Sequence, residues 1–288
     1  MEDAEGRIGY GEVAPIAGFG VESLEDAEAW LQSLKGKWIE DVPKKLPCCG
    51  FALSGALAWI SGNLGLIETK SLETAGLLPS GESSISTQEA LIARGFKTFK
   101  WKIGVGKTEE ELKIAENLVS KGKLRLDANG SLNKACLEKW LQWIQKTENI
   151  EFIEQPLSPG NWRTAQEMAK KMGMEKKIAL DEEVATNEQI ARMLENGFEG
   201  KVVIKSALTG WIEGEQLKDA IHSSALETAV GKETALRLAV GSTHAVGFGV
   251  GDLFEEDELE SHSSGPQISV GSIGTEEFEK VWETISSC

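Results

Sequence analysis

Short apolar runs alternate with amphipathic segments along most of the chain, starting at about residue 74. The amphipathic segments are about a dozen residues long, which is typical of the helix in a strand–helix unit. Strands are predicted at 75–78, 98–103, 124–126, 151–153, 178–180, 202–204, 220–222 and 245–248. Helices are predicted between them at 109–119, 133–144, 162–172 and 187–195. Because eight strands with parallel connections close most naturally on themselves, the alternation predicts an α/β barrel of the (β/α)8 type.

The residues on either side of this alternation have a different pattern. Ile8, Tyr10, Glu12 and Ala14 lie between glycines and predict a short strand. Helices are predicted at 22–38, with Ser23 as the N-cap, and at 49–64 and 276–285. We therefore expect an N-terminal capping domain at 1–73, a barrel domain at 74–255, and a C-terminal tail at 256–288 that returns to the capping domain.

Composition limits the partners that such a chain can have. Among 288 residues, 41% are hydrophobic and 26% are charged, which is typical of globular proteins. The 46 acidic and 30 basic residues give a formal net charge of −16, which argues against binding to nucleic acid or to anionic membranes. A small anionic substrate would need a local cationic pocket.

Cysteine usage and the N-terminus predict a cytoplasmic protein. The four cysteines, Cys48, Cys49, Cys136 and Cys288, contain no C-x-x-C pair, and we interpret them as reduced thiols. The first residues lack the basic and apolar regions of a secretory signal. The longest apolar run, at 51–60, is interrupted by serine and glycine and is too short for a membrane span.

Acidic residues end three successive predicted strands at equal spacing. Asp127 ends LRLD, Glu154 ends FIE and Asp181 ends IALD, and each step is 27 residues. Each acid thus falls at the C-terminal end of a strand, the face of a barrel on which active sites lie. Three carboxylates brought together repel unless a cation separates them, and all-oxygen ligands favour Mg²⁺ or Mn²⁺. Any one of the acids is equally well explained as the N-cap of the next helix.

Three lysines lie on the strands that flank these acids. Lys100 and Lys102 are two residues apart and so point to the same face of one predicted strand, while Lys205 ends another. Crowding between two ammonium groups lowers their proton affinity and suits a lysine to act as a base. Lys102 and Lys205, on opposite walls, would flank a ligand held on the metal. The alternative is that these lysines lie on wet strand faces.

The motifs KWK, DAN, EQP and DEE, followed by Lys205, resemble those of the enolase superfamily in its muconate-lactonizing-enzyme-type subgroup. Within that subgroup the chain is most similar to the o-succinylbenzoate synthase family. The segments that carry this similarity are GYGEVAPIAGFGVESLEDA at 9–27, SSALETAVG at 223–231 and GFGVGDLF at 247–254. The resemblance implies an α/β fold, a modified TIM barrel of the (β/α)7β type with a small α+β capping domain.

The resemblance also implies an activity. It is the Mg²⁺-dependent syn-dehydration of 2-succinyl-6-hydroxy-2,4-cyclohexadiene-1-carboxylate to o-succinylbenzoate, in menaquinone or phylloquinone biosynthesis. Lys102 would remove the α-proton and then protonate the departing hydroxyl. Lys205 would stabilise the enediolate, and Lys100 would polarise the carboxylate and lower the pKa of Lys102. The residues expected to line the substrate pocket are Asn129, Ser223, Ser224 and Gly247.

Two other functions remain open at this stage. An N-succinylamino acid racemase or dipeptide epimerase would use both Lys102 and Lys205 as acid–base catalysts. A catalytically inactive barrel would only bind a ligand or a partner. Members of the o-succinylbenzoate synthase family usually begin with further capping strands and a closing loop, which we expect the capping domain at 1–73 to lack.

Overall fold

The computed structural model describes residues 1–39, 41–64, 70–212, 219–250 and 265–286. The strands are β1 (Lys70–Glu73), β2 (Ala75–Leu78), β3 (Thr98–Lys102), β4 (Lys123–Asp127), β5 (Ile150–Glu154), β6 (Ile178–Leu180), β7 (Lys201–Ile204), β8 (Ile221–His222) and β9 (Gln267–Val270). The helices are α1 (Leu24–Leu34), α2 (Pro47–Ile60), α3 (Ser83–Ala93), α4 (Thr108–Val119), α5 (Lys134–Ile144), α6 (Trp162–Lys170), α7 (Asn187–Glu195), α8 (Ser206–Thr209), α9 (Ala229–Leu238) and α10 (Thr275–Ser286).

Strands β2 to β8 form one parallel sheet in chain order. The predicted strand at 245–248 is reduced to two parallel bridges, from Val246 to Thr74 and from Gly247 to Ser223. These bridges link the end of β8 to the start of β2 and close the ring. Gly247 comes so close to Ser223 that a Cβ would lie 2.5 Å from the serine Oγ, so this contact requires glycine. The predicted parallel α/β barrel is confirmed.

The alternation of side chains along β3 shows why the barrel interior is polar at one end. Phe99 and Trp101 are fully buried on the outer face, where Trp101 makes an edge contact with Trp140 of α5 at 6.5 Å between ring centroids. Because successive residues of a strand point to opposite faces, Lys100 and Lys102 point inward. The aromatic rings beneath the helices therefore fix the direction of the lysines.

The N-terminal region differs in one element from the sequence prediction. Helix α1 begins after Ser23, whose hydroxyl accepts a hydrogen bond from the backbone N–H of Asp26, as predicted. The strand predicted at 8–14 is wrong, since the described pairing there is a single bridge from Ile8. Gly9 and Gly11 instead lie flat against α2, where an added Cβ would be 2.1 Å from a helix carbonyl oxygen. In an extended segment that packs on a helix, alternate residues face the helix, so its sequence pattern resembles that of a strand.

The C-terminal segment lies against the N-terminal one. Strand β9 pairs antiparallel with β1, which the sequence did not predict. Phe278 of α10 contacts Trp59 of α2 at 5.0 Å and Tyr10 at 6.0 Å between ring centroids. The division at residues 73 and 255 stays a prediction. Residues 251–264 and 287–288, which include Cys288 and the end of the GFGVGDLF motif, lie outside the described residues.

Cys48, Cys49 and Cys136 are free thiols, as predicted. Burial and the neighbouring Glu22 carboxylate raise the pKa of Cys48 to about 12, which leaves it a thiol near neutral pH. Among the described helices, none combines the length and the apolar character needed to cross a membrane.

Candidate active site

The three acids predicted from the 27-residue spacing end neighbouring strands of the barrel. Asp127 is the last residue of β4 and Glu154 the last of β5, and the two are paired in the parallel register. Asp181 directly follows β6. The exposed fractions are 7% for Asp127, 1% for Glu154 and 5% for Asp181. Three buried carboxylates therefore share the C-terminal edge of the sheet, where their charges must be compensated.

Two lysines supply that compensation. Lys100 Nζ lies 2.9 Å from Asp127 Oδ2 and 2.8 Å from Glu154 Oε1. Lys205, directly after β7, donates to both carboxylate oxygens of Asp181. Burial lowers the pKa of Lys100, but the adjacent Glu154 and Asp127 outweigh it and raise the pKa above the ordinary lysine value. Lys100 was predicted to crowd Lys102, and it instead lies between two acids that neutralise it.

Burial raises the pKa of Glu154 above its ordinary value, and the charges of Asp127 and Asp181 raise it further. Lys100 and Lys205 act in the opposite direction without cancelling that effect. Three carboxylates thus face two ammonium groups at this edge, and burial together with their mutual repulsion favours the protonated form of Glu154.

As the side chains stand, no three His, Cys, Asp or Glu residues in the described ranges are grouped closely enough to ligate one ion. The ammonium group of Lys100 lies between the two acids that end β4 and β5. Because a single nitrogen contacts both carboxylates, a single cationic centre can be shared by them.

A cavity of about 490 Å³ opens at this edge, a size suited to a small molecule. Its polar lining consists of Lys100, Lys102, Arg125, Asp127, Glu154 and Ser223. Leu77, Leu78, Val203 and Ile221 supply apolar surface. A larger cavity of about 660 Å³ lies between the 42–50 segment and α7, but it contains none of these acids or lysines. We place the candidate site in the smaller cavity because it is lined by the acids that end β4 and β5 and by both lysines of β3.

Of the residues predicted to contact substrate, Ser223 and Gly247 line the 490 Å³ cavity. Asn129 has a φ of 42°, its backbone N–H donates to Asp127 Oδ1 at 3.1 Å, and its side chain donates to Glu182 at 3.0 Å. The Ser224 hydroxyl donates to Glu227 at 2.7 Å within its own loop. Substrate contact by all four predicted residues stays a prediction.

Gln155 and Phe19 were missed as functional residues from the sequence. Gln155 is buried with a φ of 36°, and its Oε1 accepts hydrogen bonds from the backbone N–H groups of Asp181 at 3.1 Å and Glu183 at 3.2 Å. It thus links the acid of β5 to the acid after β6, and the EQP motif was the available signal. The ring of Phe19 lies 4.6 Å from Lys205 Nζ, and nothing in the local sequence indicates this contact.

The class that this fold and edge define is an α/β-barrel enzyme of the enolase type. Residues 85–245 match the family described as Enolase C-terminal domain-like, and residues 2–60 match the family described as MenC, N-terminal domain.

Comparison with individual proteins assigns the chain to one family within this class. The chain is 35% identical over 270 residues to o-succinylbenzoate synthase from Thermosynechococcus vestitus, covering 87% of this chain and 83% of the relative. The crystal structure of o-succinylbenzoate synthase from Thermosynechococcus elongatus BP-1, complexed with Mg in the active site, has a TM-score of 0.82 at 31% identity and covers 99% of this chain and 90% of that one. The chain belongs to the o-succinylbenzoate synthase family, whose members are lyases of the enolase superfamily.

A more distant neighbour shares the fold. The L-Ala-D/L-Glu epimerase from Bacillus subtilis has a TM-score of 0.77 at 20% identity, covering 93% of this chain and 86% of that one. The predicted resemblance to the enolase superfamily is confirmed.

Proposed function

We propose that the protein dehydrates 2-succinyl-6-hydroxy-2,4-cyclohexadiene-1-carboxylate to o-succinylbenzoate with a divalent cation, as a step toward menaquinone or phylloquinone. One observation carries the proposal. Buried carboxylates and lysines meet at the C-terminal edge of one barrel, beside a cavity of small-molecule size.

The donor set fits Mg²⁺, and Mn²⁺ is a second candidate. Asp127, Glu154 and Asp181 offer only oxygen atoms, which hard divalent cations prefer. The position of Lys100 Nζ, within 2.9 Å of both Asp127 and Glu154, supports a shared cationic centre at that point. When bound, the metal would supply positive charge to the substrate carboxylate as negative charge develops on it.

Lys102 is the proposed acid–base catalyst. It lines the cavity, and among the described residues it has no ion pair or hydrogen bond, so its nitrogen is available to substrate. Lys102 Nζ takes the proton from the carbon α to the carboxylate, and the electron pair of that C–H bond passes into the carboxylate to form an enediolate. The enediolate then expels the hydroxyl, which leaves as water with the proton returned by Lys102. Because one lysine both removes the α-proton and protonates the departing hydroxyl, the two groups leave from the same face of the ring and the elimination is syn.

Lys205 and Lys100 are assigned electrostatic roles. Lys205 is held by Asp181 on the wall opposite Lys102, and we propose that its charge stabilises the enediolate there. Lys100, held between two acids, would polarise the substrate carboxylate. The substrate is a small anion, and these lysines offer local positive charge within a chain of net charge −16. The free thiols are in keeping with a cytoplasmic location.

The test is an assay of the purified chain with the cyclohexadiene substrate, following aromatisation by absorbance. We expect turnover with Mg²⁺, loss of turnover on adding EDTA, and recovery when excess Mg²⁺ is returned. The same recovery experiment with Mn²⁺ compares the turnover that the two metals support. An absence of turnover with either metal, by a chain that circular dichroism shows to be folded, would overturn the proposal.

A further inference from the structure

Helix α9 is capped by a carboxylate from the opposite end of the chain. Glu12 Oε1 accepts a hydrogen bond from the backbone N–H of Thr228 at 2.9 Å. Glu12 Oε2 accepts from the Thr228 hydroxyl at 2.6 Å and from the backbone N–H of Gly231 at 2.8 Å. Three donors at the start of α9 thus converge on one side chain of the N-terminal segment.

This arrangement replaces the usual cap. In α7 the N-cap residue Thr186 caps its own helix, because its hydroxyl accepts from the backbone N–H three residues on. In α9 the N-cap residue Thr228 makes no such bond and donates its hydroxyl to Glu12 instead. Glu12 also takes the N–H, that of Gly231, which a self-capping threonine would bind. The cap of α9 is therefore also a tie between two distant parts of the chain.

Glycines on both sides of the tie keep it short. A Cβ at Gly231 would lie 2.7 Å from Glu12 Oε2, so a side chain there would displace the carboxylate from this position. On the other side, Gly9 and Gly11 bring their backbone into contact with carbonyl oxygens of α2. The segment that carries Glu12 is thus held between α2 and α9, and its position sets where α9 begins.

The loop that ends at this tie starts at the substrate cavity. Residues 223–228 connect β8 to α9. Ser223 lines the cavity, and its backbone N–H donates to Ile204 at 2.9 Å. Glu227 accepts from the Ser224 hydroxyl at 2.7 Å and from the Ala225 N–H at 2.9 Å. The loop is held at its first residue by β7, in its middle by Glu227, and at its last residue by Glu12.

We propose that Glu12 is a positioning residue for the active site, because it fixes the downstream end of loop 223–228 and thereby the place of Ser223 in the substrate cavity. Its effect on turnover rests on the proposed function. Its effect on the loop does not, and the two can be measured separately.

The kinetic test is Glu12→Gln, with Glu22→Gln as the matched control. A glutamine amide cannot accept all three hydrogen bonds, so the tie breaks, while the freed Thr228 hydroxyl can cap α9 by itself. We expect KM for the cyclohexadiene substrate to rise about tenfold, with kcat changed less than about twofold. Glu22 caps α2 in the same manner, accepting from the Cys48 N–H at 2.7 Å and the Cys49 N–H at 3.3 Å. Glu22→Gln should lower thermal stability and leave KM unchanged.

Two further variants separate the tie from general damage. Gly231→Ala pushes a methyl group against Glu12 and should raise KM in the same way, even though alanine favours a helix over glycine. Thr228→Ser keeps the hydroxyl and should behave as the unmodified chain. Equal KM values in Glu12→Gln, Gly231→Ala and the unmodified chain would overturn the proposal, as would an equal rise of KM in Glu22→Gln.

Hydrogen exchange gives a readout that needs no substrate. The backbone N–H of Thr228, which a self-capping Thr228 hydroxyl does not bind, should exchange faster in Glu12→Gln, and not in Glu22→Gln. Faster exchange in a chain that fails to dehydrate the substrate would support the tie and remove the proposed function. Unchanged exchange at 223–231 would remove the tie, whatever the activity.

Discussion

Lys100 Nζ lies 2.8 Å from Glu154 Oε1, and this ion pair sits at the centre of the candidate site. The Glu154 side chain is almost fully buried, and the same nitrogen also contacts Asp127. Lys100 is therefore part of the acidic edge, while Lys102, two residues on along the same strand, faces the open cavity. One strand thus presents a lysine bound by acids beside a lysine available to substrate.

Removing the charge of Lys100 should destabilise the protein in the absence of metal. Lys100→Met leaves two buried carboxylates without their shared partner, and breaking a buried pair in this way costs roughly 3 kcal/mol. We expect that loss in the free energy of unfolding, measured with urea in EDTA, and a partial recovery when Mg²⁺ is added.

The matched control for Lys100→Met is Lys121→Met. Lys121 pairs with Glu89 at 2.7 Å, but this pair is at the surface, with 35% of the Lys121 side chain and 61% of the Glu89 side chain exposed. An exposed pair contributes under about 1 kcal/mol, so this variant should unfold almost as the unmodified chain does. Equal destabilisation by the two variants would contradict the assignment of Lys100 as the compensating charge.

A second charged cluster, at the N-terminal end of the barrel, should control stability in acid. Glu151 pairs with Arg125 at 2.7 Å and contacts His244 at 2.7 Å. Burial raises the pKa of Glu151, but the hydrogen bond from His244 and the charge of Arg125 outweigh it and lower the pKa to about 2. Because the folded-state pKa lies below the unfolded value, the stabilisation is full above about pH 4.5 and is lost as the pH falls toward 2.

Glu151→Gln should remove this loss of folding stability between about pH 4.5 and pH 2. Linkage puts the contribution on the order of 3 kcal/mol, present near neutral pH and absent near pH 2. Urea unfolding from pH 2 to 7 should show the variant less stable at pH 7 and the two chains converging in acid. Glu116, an exposed acid of α4, provides the control, since Glu116→Gln should leave the pH profile unchanged. A parallel offset between Glu151→Gln and the unmodified chain at every pH would contradict the linkage.

Metal affinity should depend on the acids that end β4 and β5. We expect titration calorimetry to show Mg²⁺ binding to the chain, weakened roughly a hundredfold or more in Asp127→Asn and in Glu154→Gln. Glu183→Gln is the control, because the Glu183 carboxylate accepts from the Gly160 N–H at 2.7 Å, whereas Asp127 and Glu154 pair with Lys100. Unchanged binding in both acid variants would remove the metal site.

The sequence predicted the barrel and the location of its edge because both depend on local periodicity. The 27-residue spacing follows from the length of one strand–helix unit, and the inward direction of Lys100 follows from the two-residue period of a strand. Contacts between segments that are distant in the sequence were not predicted. Paired residues of the four-residue strands β1 and β9 are 194 or more positions apart in the sequence, and each strand is too short to show a recognisable pattern.

The ties that orient the site were also beyond local pattern. Gln155 binds the backbone at Asp181, and Glu12 binds Thr228, 216 residues away. Both side chains accept hydrogen bonds from backbone N–H groups, which every residue except proline carries, so no residue type or spacing in the sequence identifies the partner. The two-residue spacing of Lys100 and Lys102 likewise could not show that Lys100 is paired with acids of two other strands, Asp127 and Glu154.

Substituting the lysines one at a time should separate dehydration from proton exchange. Lys102→Ala removes the proposed base and should lower kcat by about a thousandfold or more, in line with the loss of a general acid–base group. Lys205→Ala removes charge stabilisation of the enediolate and should lower kcat by about a hundredfold or more. Lys107 is an exposed lysine just beyond β3, and Lys107→Ala should have no effect.

The racemase alternative is tested by incubating Lys102→Ala with an N-succinyl amino acid in D2O. If the α-carbon of this substrate gains deuterium in the variant, Lys205 must be acting as a base. Full dehydration by Lys102→Ala would contradict the role proposed for Lys102, since no other described lysine in the cavity is free of an acid partner.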